Sequence, residues 1–245
     1  MSAATKLISA SGAKGNTELE LVGYTTKIGS EQPSFISWSL PSYEVGDLLI
    51  AAICTSSTSA PSSQTPSSMS GWTLISNTFA NDTFEISLST FYLVATATSA
   101  SSIFETLSTT YTNGHGPLGW AGAYRNVSSS PLLENKTTAT FNGDVPLSFG
   151  SLSGSGSPFG AFAIGASSSA GTAGDVTYST TQSYDEFYNL NNYGVSGISN
   201  RCQLGIMKLD YNSSSTLSFT SWTNNATQSD GRRARTGHSF SMEIE

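Results

Sequence analysis

The chain has 245 residues and a formal net charge of -7, and only 11% of its residues are charged. So few Lys and Arg side chains argue against nucleic-acid binding, which needs clustered cations. Residues 1–15 lack the apolar core of a signal peptide, and no run approaches the ~18 apolar residues of a membrane span. We therefore expect a protein made in a cytoplasm, without a nucleic-acid partner or membrane insertion.

The first half of the chain predicts strands and turns. Residues Leu48–Cys54 contain no polar side chain and follow the turn signal Gly46-Asp47, which predicts a central strand buried on both faces. Residues Ser56–Ser70 are mostly Ser, Thr and Pro and predict a long exposed loop. Further predicted strands are Leu19–Thr26, Ser34–Leu40, one starting at Gly71, Phe84–Ala95, Ile103–Thr109 and Trp120–Val127. In Phe84–Ala95 the alternation places Ile86 and Leu88 inward and Glu85, Ser87 and Ser89 outward.

The second half contains a similar central strand. Residues Pro158–Ala166 have the same apolar character as Leu48–Cys54, and the Gly/Ser connector Gly150–Ser157 precedes them. Residues Ala139–Phe149 predict two short strands joined at Asn142-Gly143, a favoured hairpin dipeptide. The remaining predicted strands are Val176–Tyr178, Cys202–Tyr211, Thr216–Trp222 and His238–Glu245, the last with Phe240, Met242 and Ile244 inward.

This rhythm of short strands predicts an all-β, antiparallel β-sandwich. We expect a single domain over residues 19–245, preceded by an N-terminal arm of residues 1–18, because neither half looks complete without the buried run of the other. Gly150–Ser157 is the one candidate boundary, and no solenoid-type repeat is evident.

No catalytic motif stands out. The two histidines, His115 and His238, belong to no recognisable nucleophile or metal motif. The acids Glu85, Glu105, Asp185 and Glu186 could form a hydrolytic pair, but solvated surface charges explain them better. Calcium ligands from Asp175, Asp185, Glu186 and Asp210 lack EF-hand spacing. We expect no enzyme, cofactor or metal. Cys54 and Cys202 lie in apolar runs and predict buried free thiols, although a disulfide between them stays open.

Two stretches could make contacts. The segment Tyr184–Tyr193 combines rigid aromatic rings with adaptable amides, a mixture suited to glycan or protein contact. A loop folded over the sandwich edge is the alternative. Its candidate residues are Tyr184, Phe187, Tyr188, Asn189, Asn191, Asn192 and Tyr193. The basic cluster of Arg232, Arg233 and Arg235 could pair with an acidic patch on a neighbouring subunit, or could be a solvated loop.

Four segments in order resemble a group of tailed-bacteriophage virion proteins: GDLLIAA at Gly46–Ala52, GWTLI at Gly71–Ile75, FYLVATATS at Phe91–Ser99 and AGAYRNV at Ala121–Val127. The resemblance covers mainly Val45–Val127. It implies a jelly-roll-like β-sandwich and a non-enzymatic structural component of the virion, on the capsid or tail surface, with other virion proteins as partners. No catalytic residue accompanies these motifs.

Such a protein would assemble as a homo-oligomer, a trimer or a ring, through edge strands and the N-terminal arm. The alternative is a receptor-binding module that recognises host surface glycan through Tyr184–Tyr193. A third hypothesis, a glycan-active enzyme, would need two carboxyl groups about 5–10 Å apart in a concave site.

Overall fold

The structure is a computed structural model that describes residues 18–29, 35–57, 65–80, 85–97, 99–107, 116–140, 147–153, 158–170, 178–179, 183–192, 200–211, 216–219, 223–224 and 234–245. These residues contain strands and turns but no helix, so the all-β prediction is confirmed. We divide the chain at Asn126 into an N-terminal half and a C-terminal half, because each half forms one five-stranded antiparallel sheet.

The N-terminal half contains strands β1 to β7. Its sheet has the order β1-β7-β3-β5-β4, with β1 and β4 at the edges, and the short strands β2 and β6 form a separate pair. Their bounds are β1 Glu20–Ile28, β2 Phe35–Ser39, β3 Leu48–Ser57, β4 Thr73–Ala80, β5 Glu85–Val94, β6 Ser102–Thr106 and β7 Leu118–Arg125. The predicted central strand is β3, which pairs with β5 and β7 on its two sides.

The C-terminal half contains strands β8 to β16. Its sheet has the order β12-β13-β10-β16-β8, and the pairs β9/β14 and β11/β15 lie outside it. Their bounds are β8 Val127–Thr140, β9 Leu152–Ser153, β10 Phe159–Ala170, β11 Tyr178–Ser179, β12 Glu186–Asn191, β13 Asn200–Tyr211, β14 Thr216–Leu217, β15 Thr223–Asn224 and β16 Arg235–Ile244. The second predicted central strand is β10, between β13 and β16.

The two sheets pack face to face around one apolar core. Alternate residues of β3 (Leu48, Ile50) meet alternate residues of β10 (Phe162, Ile164) there, because side chains along a strand alternate between its faces. The other face of each sheet is also covered. Ile36 and Trp38 of β2 pack on the N-terminal sheet, and residues around Phe149 and β9 pack on the C-terminal sheet. The result is a β-sandwich with an additional layer on each side.

Several sequence predictions are confirmed in detail. Phe240, Met242 and Ile244 point into the core between the sheets. Gly46 has a positive φ of 94°, as the Gly-Asp turn requires. Cys54 and Cys202 are buried free thiols. The jelly-roll connectivity is not confirmed, because each five-stranded sheet takes all its strands from one half of the chain.

Other predictions are wrong, mainly because the outer layers bury surfaces that were expected to face water. Glu85, Ser87 and Ser89 are buried rather than outward in solvent, and the Ser89 hydroxyl contacts Thr65. Thr65 and Met69 are buried too, so the end of Ser56–Ser70 covers the sheet.

The strand predicted from Ala139 begins already at Val127, as β8, because pairing with β16 organises its polar residues. The hairpin dipeptide Asn142-Gly143 lies outside the described residues, as do residues 1–17 of the expected arm.

Candidate functional site

The candidate site is the side of the sandwich where edge strands β1 and β12 lie together, called here the β1/β12 edge. The rings of Tyr24 on β1 and Tyr188 on β12 have their centroids 4.5 Å apart. Tyr188 also contacts Trp120 on β7, with centroids 5.6 Å apart. Trp120 is fully buried and Tyr24 is 50% exposed, so this aromatic row leads from the core to solvent.

Glu186, the first residue of β12, lies beneath the aromatic row. Its Oε2 atom accepts hydrogen bonds from the hydroxyls of Tyr124 at 3.1 Å and Tyr188 at 3.0 Å. Burial raises the pKa of the Glu186 carboxyl above its ordinary value, while Lys208 and the two hydroxyls oppose that shift. Burial also raises the pKa of both tyrosines, and the nearby carboxylate adds to the effect. The hydroxyls therefore stay protonated and act as donors.

Lys208 of β13 is the cation of the site, although it is only 3% exposed. Its Nζ atom donates to the Asp210 carboxylate at 2.5 Å and to the Leu19 carbonyl at 2.8 Å, and lies 3.9 Å from Glu186. A buried ammonium group needs such partners, because an unpaired charge is costly in an apolar interior.

Asp210 links the same site to the start of β1. Its Oδ1 atom accepts from the Leu19 backbone N–H at 3.2 Å, and its own backbone N–H donates to Asp185 at 2.6 Å. Burial raises the pKa of the Asp210 carboxyl, and the hydrogen bond and charge of Lys208 lower it. These contacts fix the point at which the chain enters the sandwich, next to β12 and β13.

The arrangement favours binding and stabilisation over proton transfer. The two half-buried carboxylates, Glu186 and Asp210, both form ion pairs with Lys208, and three of their four oxygens accept hydrogen bonds from fixed donors. In the described part of the chain, no three His, Cys, Asp or Glu side chains are grouped to hold a metal ion. The exposed aromatic side chains of the site are those of Tyr24 and Tyr184, which is 47% exposed and contacts Phe187.

The structure separates the predicted contact residues. The segment expected as a loop forms edge strand β12, with Tyr188 and Leu190 turned inward and Phe187 packed on the outer cluster. Asn189 is exposed and Asn191 is half-buried. Asn192 is buried and structural, because its side chain donates to the Gly116 carbonyl and accepts from the Cys202 N–H. Tyr193 lies outside the described residues.

The predicted basic cluster does not stand together on the surface. Arg235 lies in β16 and is 2% exposed, so its side chain is not available to a neighbouring subunit in this structure. Arg232 and Arg233 lie outside the described residues. Sequence reasoning also missed Lys208, although Cys202, Leu204 and Ile206 mark the inward face of its strand. A lysine at the next inward position indicates a buried cation that needs a partner.

Two open grooves lie away from this edge. One, of about 450 Å³, lies at the ends of β5, β8 and β16 beside Gly46 and includes Glu243 and Glu245. The other, of about 320 Å³, lies beside Leu40, Tyr43 and Ser101. Neither groove borders the residues that were predicted to make contacts.

No protein-family model matches the chain, and no curated protein or solved structure matches it. Among the residues that the structure describes, no helix is long and apolar enough to cross a membrane. Fold and site together define a class, a layered all-β sandwich with an aromatic edge.

Proposed function

We propose that the protein is a non-enzymatic structural component of a bacteriophage virion, located on the capsid or tail surface. The resemblance in sequence supports this proposal, because its four motifs fall on β3, β4, β5 and β7, which are neighbouring strands of one sheet. The motifs thus correspond to one continuous structural unit. A fold resemblance is an associational argument, so the site has to support the function separately.

The observation that carries the proposal is the free edge of the N-terminal sheet. Among the described residues β1 pairs only with β7, and it carries Tyr24 and Ile28, which are 50% and 47% exposed. An edge strand presents unpaired backbone groups that can pair with another chain. Exposed apolar side chains beside it add apolar area to such a contact. We expect this edge to join copies of the protein into a trimer or a ring, and to meet other virion proteins.

Two measurements test this role. Light scattering of the purified protein should give the mass of a trimer or a larger closed ring. Mass spectrometry of washed particles from the phage that encodes the chain should detect the protein at a fixed ratio to the other virion proteins. A protein that is present in the lysate but absent from the washed particles would contradict the proposal.

A second candidate is recognition of host surface glycan at the β1/β12 edge. Tyr24 and Tyr184 favour it, because they are 50% and 47% exposed, and Asn189 on β12 is exposed as well. Aromatic side chains with adaptable amides beside them suit such a contact. In this alternative, the virion component also attaches to its host.

A glycan array distinguishes the two roles. The wild-type protein should bind a defined set of glycans, and Tyr24→Ala and Tyr184→Ala should each weaken that binding about tenfold or more. Phe79→Ala is the matched control, since Phe79 is an exposed aromatic residue on the opposite edge strand β4. An array without bound glycan, or equal losses in all three variants, would remove the adhesion role.

A further inference from the structure

We infer that the two halves of the chain are copies of one β-module, so that the protein is a covalently fused dimer of that module. The strand orders provide the first evidence. The N-terminal sheet reads β1-β7-β3-β5-β4, and the C-terminal sheet reads β8-β16-β10-β13-β12. When only the five strands of each sheet are counted in chain order, both sheets have the order first, fifth, second, fourth and third.

The outer layers repeat the pattern. In the N-terminal half, β2 follows the first strand of the sheet, and its partner β6 precedes the last. In the C-terminal half, β9 and its partner β14 have the same two places relative to the strands of the sheet. The pair β11/β15 is an addition of the C-terminal half among the described residues. The two halves thus share the strand order of the main sheet and the pairing of the outer layer. A chance agreement between the two sheet orders would not also reproduce the outer pairing.

The halves are related by an approximate two-fold axis. Strands at the same position in the two sheet orders are equivalent, so β3 corresponds to β10 and β5 corresponds to β13. β3 contacts β13, and the equivalent strands β10 and β5 also contact each other. Likewise β4 contacts β8, and the equivalent strands β12 and β1 meet through Tyr188 and Tyr24. The central strands β3 and β10 contact each other, as strands beside the axis must. An isologous dimer has this pattern of contacts.

A detail of packing repeats as well. On β7, a Cβ atom added at Gly119 would lie 2.9 Å from the Trp38 ring in the outer layer. On β16, the last strand of the other half, a Cβ at Gly237 would lie 2.7 Å from the Ile164 carbonyl oxygen of β10 and 3.0 Å from both Leu147 and Phe149 in the outer layer. Each half therefore uses a glycine on its last strand to admit a large side chain from its own outer layer.

The junction between the halves has the geometry of a fusion point. Asn126, with a positive φ of 66°, is the single residue between β7 and β8. Its side chain donates to the Glu18 carbonyl, and its carbonyl accepts from the Glu245 N–H. Among the described residues, the first and last of each half therefore meet at one point, because the first and last strands of each sheet are neighbours.

The inner face of each half is the surface that binds the other half. Its partner is a second copy of the same module. That face is mostly apolar, with Leu48, Ile50, Phe162 and Ile164 among its fully buried residues, and it also buries the polar side chains of Lys208 and His238. A sheet with such a face must bury it against another element. The free half would lack a cover for it.

The test uses the full chain with one protease site inserted after Asn126, and a control chain with the same site inserted after Ala97. Ala97 is an exposed turn residue within the N-terminal half. Each protein is folded, cut, unfolded in urea and refolded at several concentrations. We expect the chain cut at Asn126 to recover at least about tenfold more native one-to-one complex, with an unfolding midpoint that rises with concentration.

The control should refold poorly, since its cut separates β7 from β1 and β3, the strands with which it pairs. Equal recovery from both cut chains would overturn the inference, and so would the failure of both. An insertion after Asn126 that prevents the uncut chain from folding would also contradict it, because the junction would then not lie outside both modules.

Discussion

The two long sides of the sandwich are equivalent in topology but differ in chemistry. The β1/β12 edge contains the buried Lys208, the carboxylates of Glu186 and Asp210, and an aromatic row that reaches solvent. On the opposite side, called the β4/β8 edge, the Asn135 side chain donates to the Ile75 carbonyl at 2.8 Å. The hydroxyls of Thr236 and Thr78 meet nearby at 2.8 Å. Neutral hydrogen bonds join the sheets there.

This difference shows that a shared strand order does not dictate which side chains close an edge. The charged network fixes Leu19, where the chain enters β1, and so positions the edge that carries Tyr24 and Ile28. The β4/β8 edge holds no such network in the described residues. We therefore propose that assembly uses the β1/β12 edge.

Removing the buried cation should have the largest effect. Lys208→Met leaves two half-buried carboxylates without their partner, and we expect it to lower the free energy of unfolding by about 3 kcal/mol. Urea denaturation measures the change. The matched control is Lys136→Met on β8, whose ion pair with Glu134 is partly exposed and should contribute less than about 1 kcal/mol. Equal losses of unfolding free energy in both variants would show that the network at the β1/β12 edge stabilises the protein no more than an exposed ion pair does.

The pH dependence of stability should come from a different part of the molecule, strand β16. Burial lowers the pKa of His238 to about 3, and neither ring nitrogen has a hydrogen-bond partner among the described residues. Between pH 6.5 and 3 the unfolded chain therefore binds a proton that the folded chain does not. Stability should fall by about 2 kcal/mol as the pH drops from 6.5 to 5.

His238→Leu should flatten this slope in denaturation curves recorded across that range, whereas His115→Gln should retain it. The raised pKa values of Glu186 and Asp210 act in the opposite direction, because protonation of these carboxyls favours the folded state. A slope that survives in His238→Leu would assign the pH dependence to other groups.

A smaller effect should follow from the loss of one hydroxyl. Tyr124→Phe removes a donor to the half-buried Glu186 carboxylate and should cost about 1–2 kcal/mol in thermal or urea unfolding. Asn135→Ala at the β4/β8 edge removes a neutral hydrogen bond near the surface and should cost about 1 kcal/mol or less. A larger loss in Asn135→Ala would reverse the expected order of the two edges.

The sequence predicts the core of this fold better than its edges. Both central strands, and the inward alternation of Phe240, Met242 and Ile244, follow from burial patterns that are local in sequence. The outward assignment of Glu85 failed because residues near Thr65, distant in sequence, cover that face. The sequence analysis missed most of the polar strand β8. Its own residue pattern does not indicate a strand, because the strand depends on pairing with β16.

The candidate site was predicted in part. Both readings of Tyr184–Tyr193 expected a loop, whereas Glu186–Asn191 forms edge strand β12, because its strand structure depends on pairing with β13. The partners Tyr24, Lys208 and Asp210 come from other strands, and no local pattern brings them together. The repeat was missed for a related reason. The two halves share an order of strand pairing, whereas in sequence only the similar apolar character of Leu48–Cys54 and Pro158–Ala166 reflects it.

The most direct test of the difference between the edges is the mass in solution of three proteins, measured by light scattering at equal concentration. These are the wild type, Ile28→Lys on β1 and Phe79→Lys on β4, two exposed apolar residues on opposite edge strands. A charge on an edge strand blocks pairing with another chain. We expect the wild type and Phe79→Lys to form the same trimer or ring and Ile28→Lys to be a monomer. A single mass for all three proteins, or dissociation by Phe79→Lys alone, would contradict assembly through the β1/β12 edge.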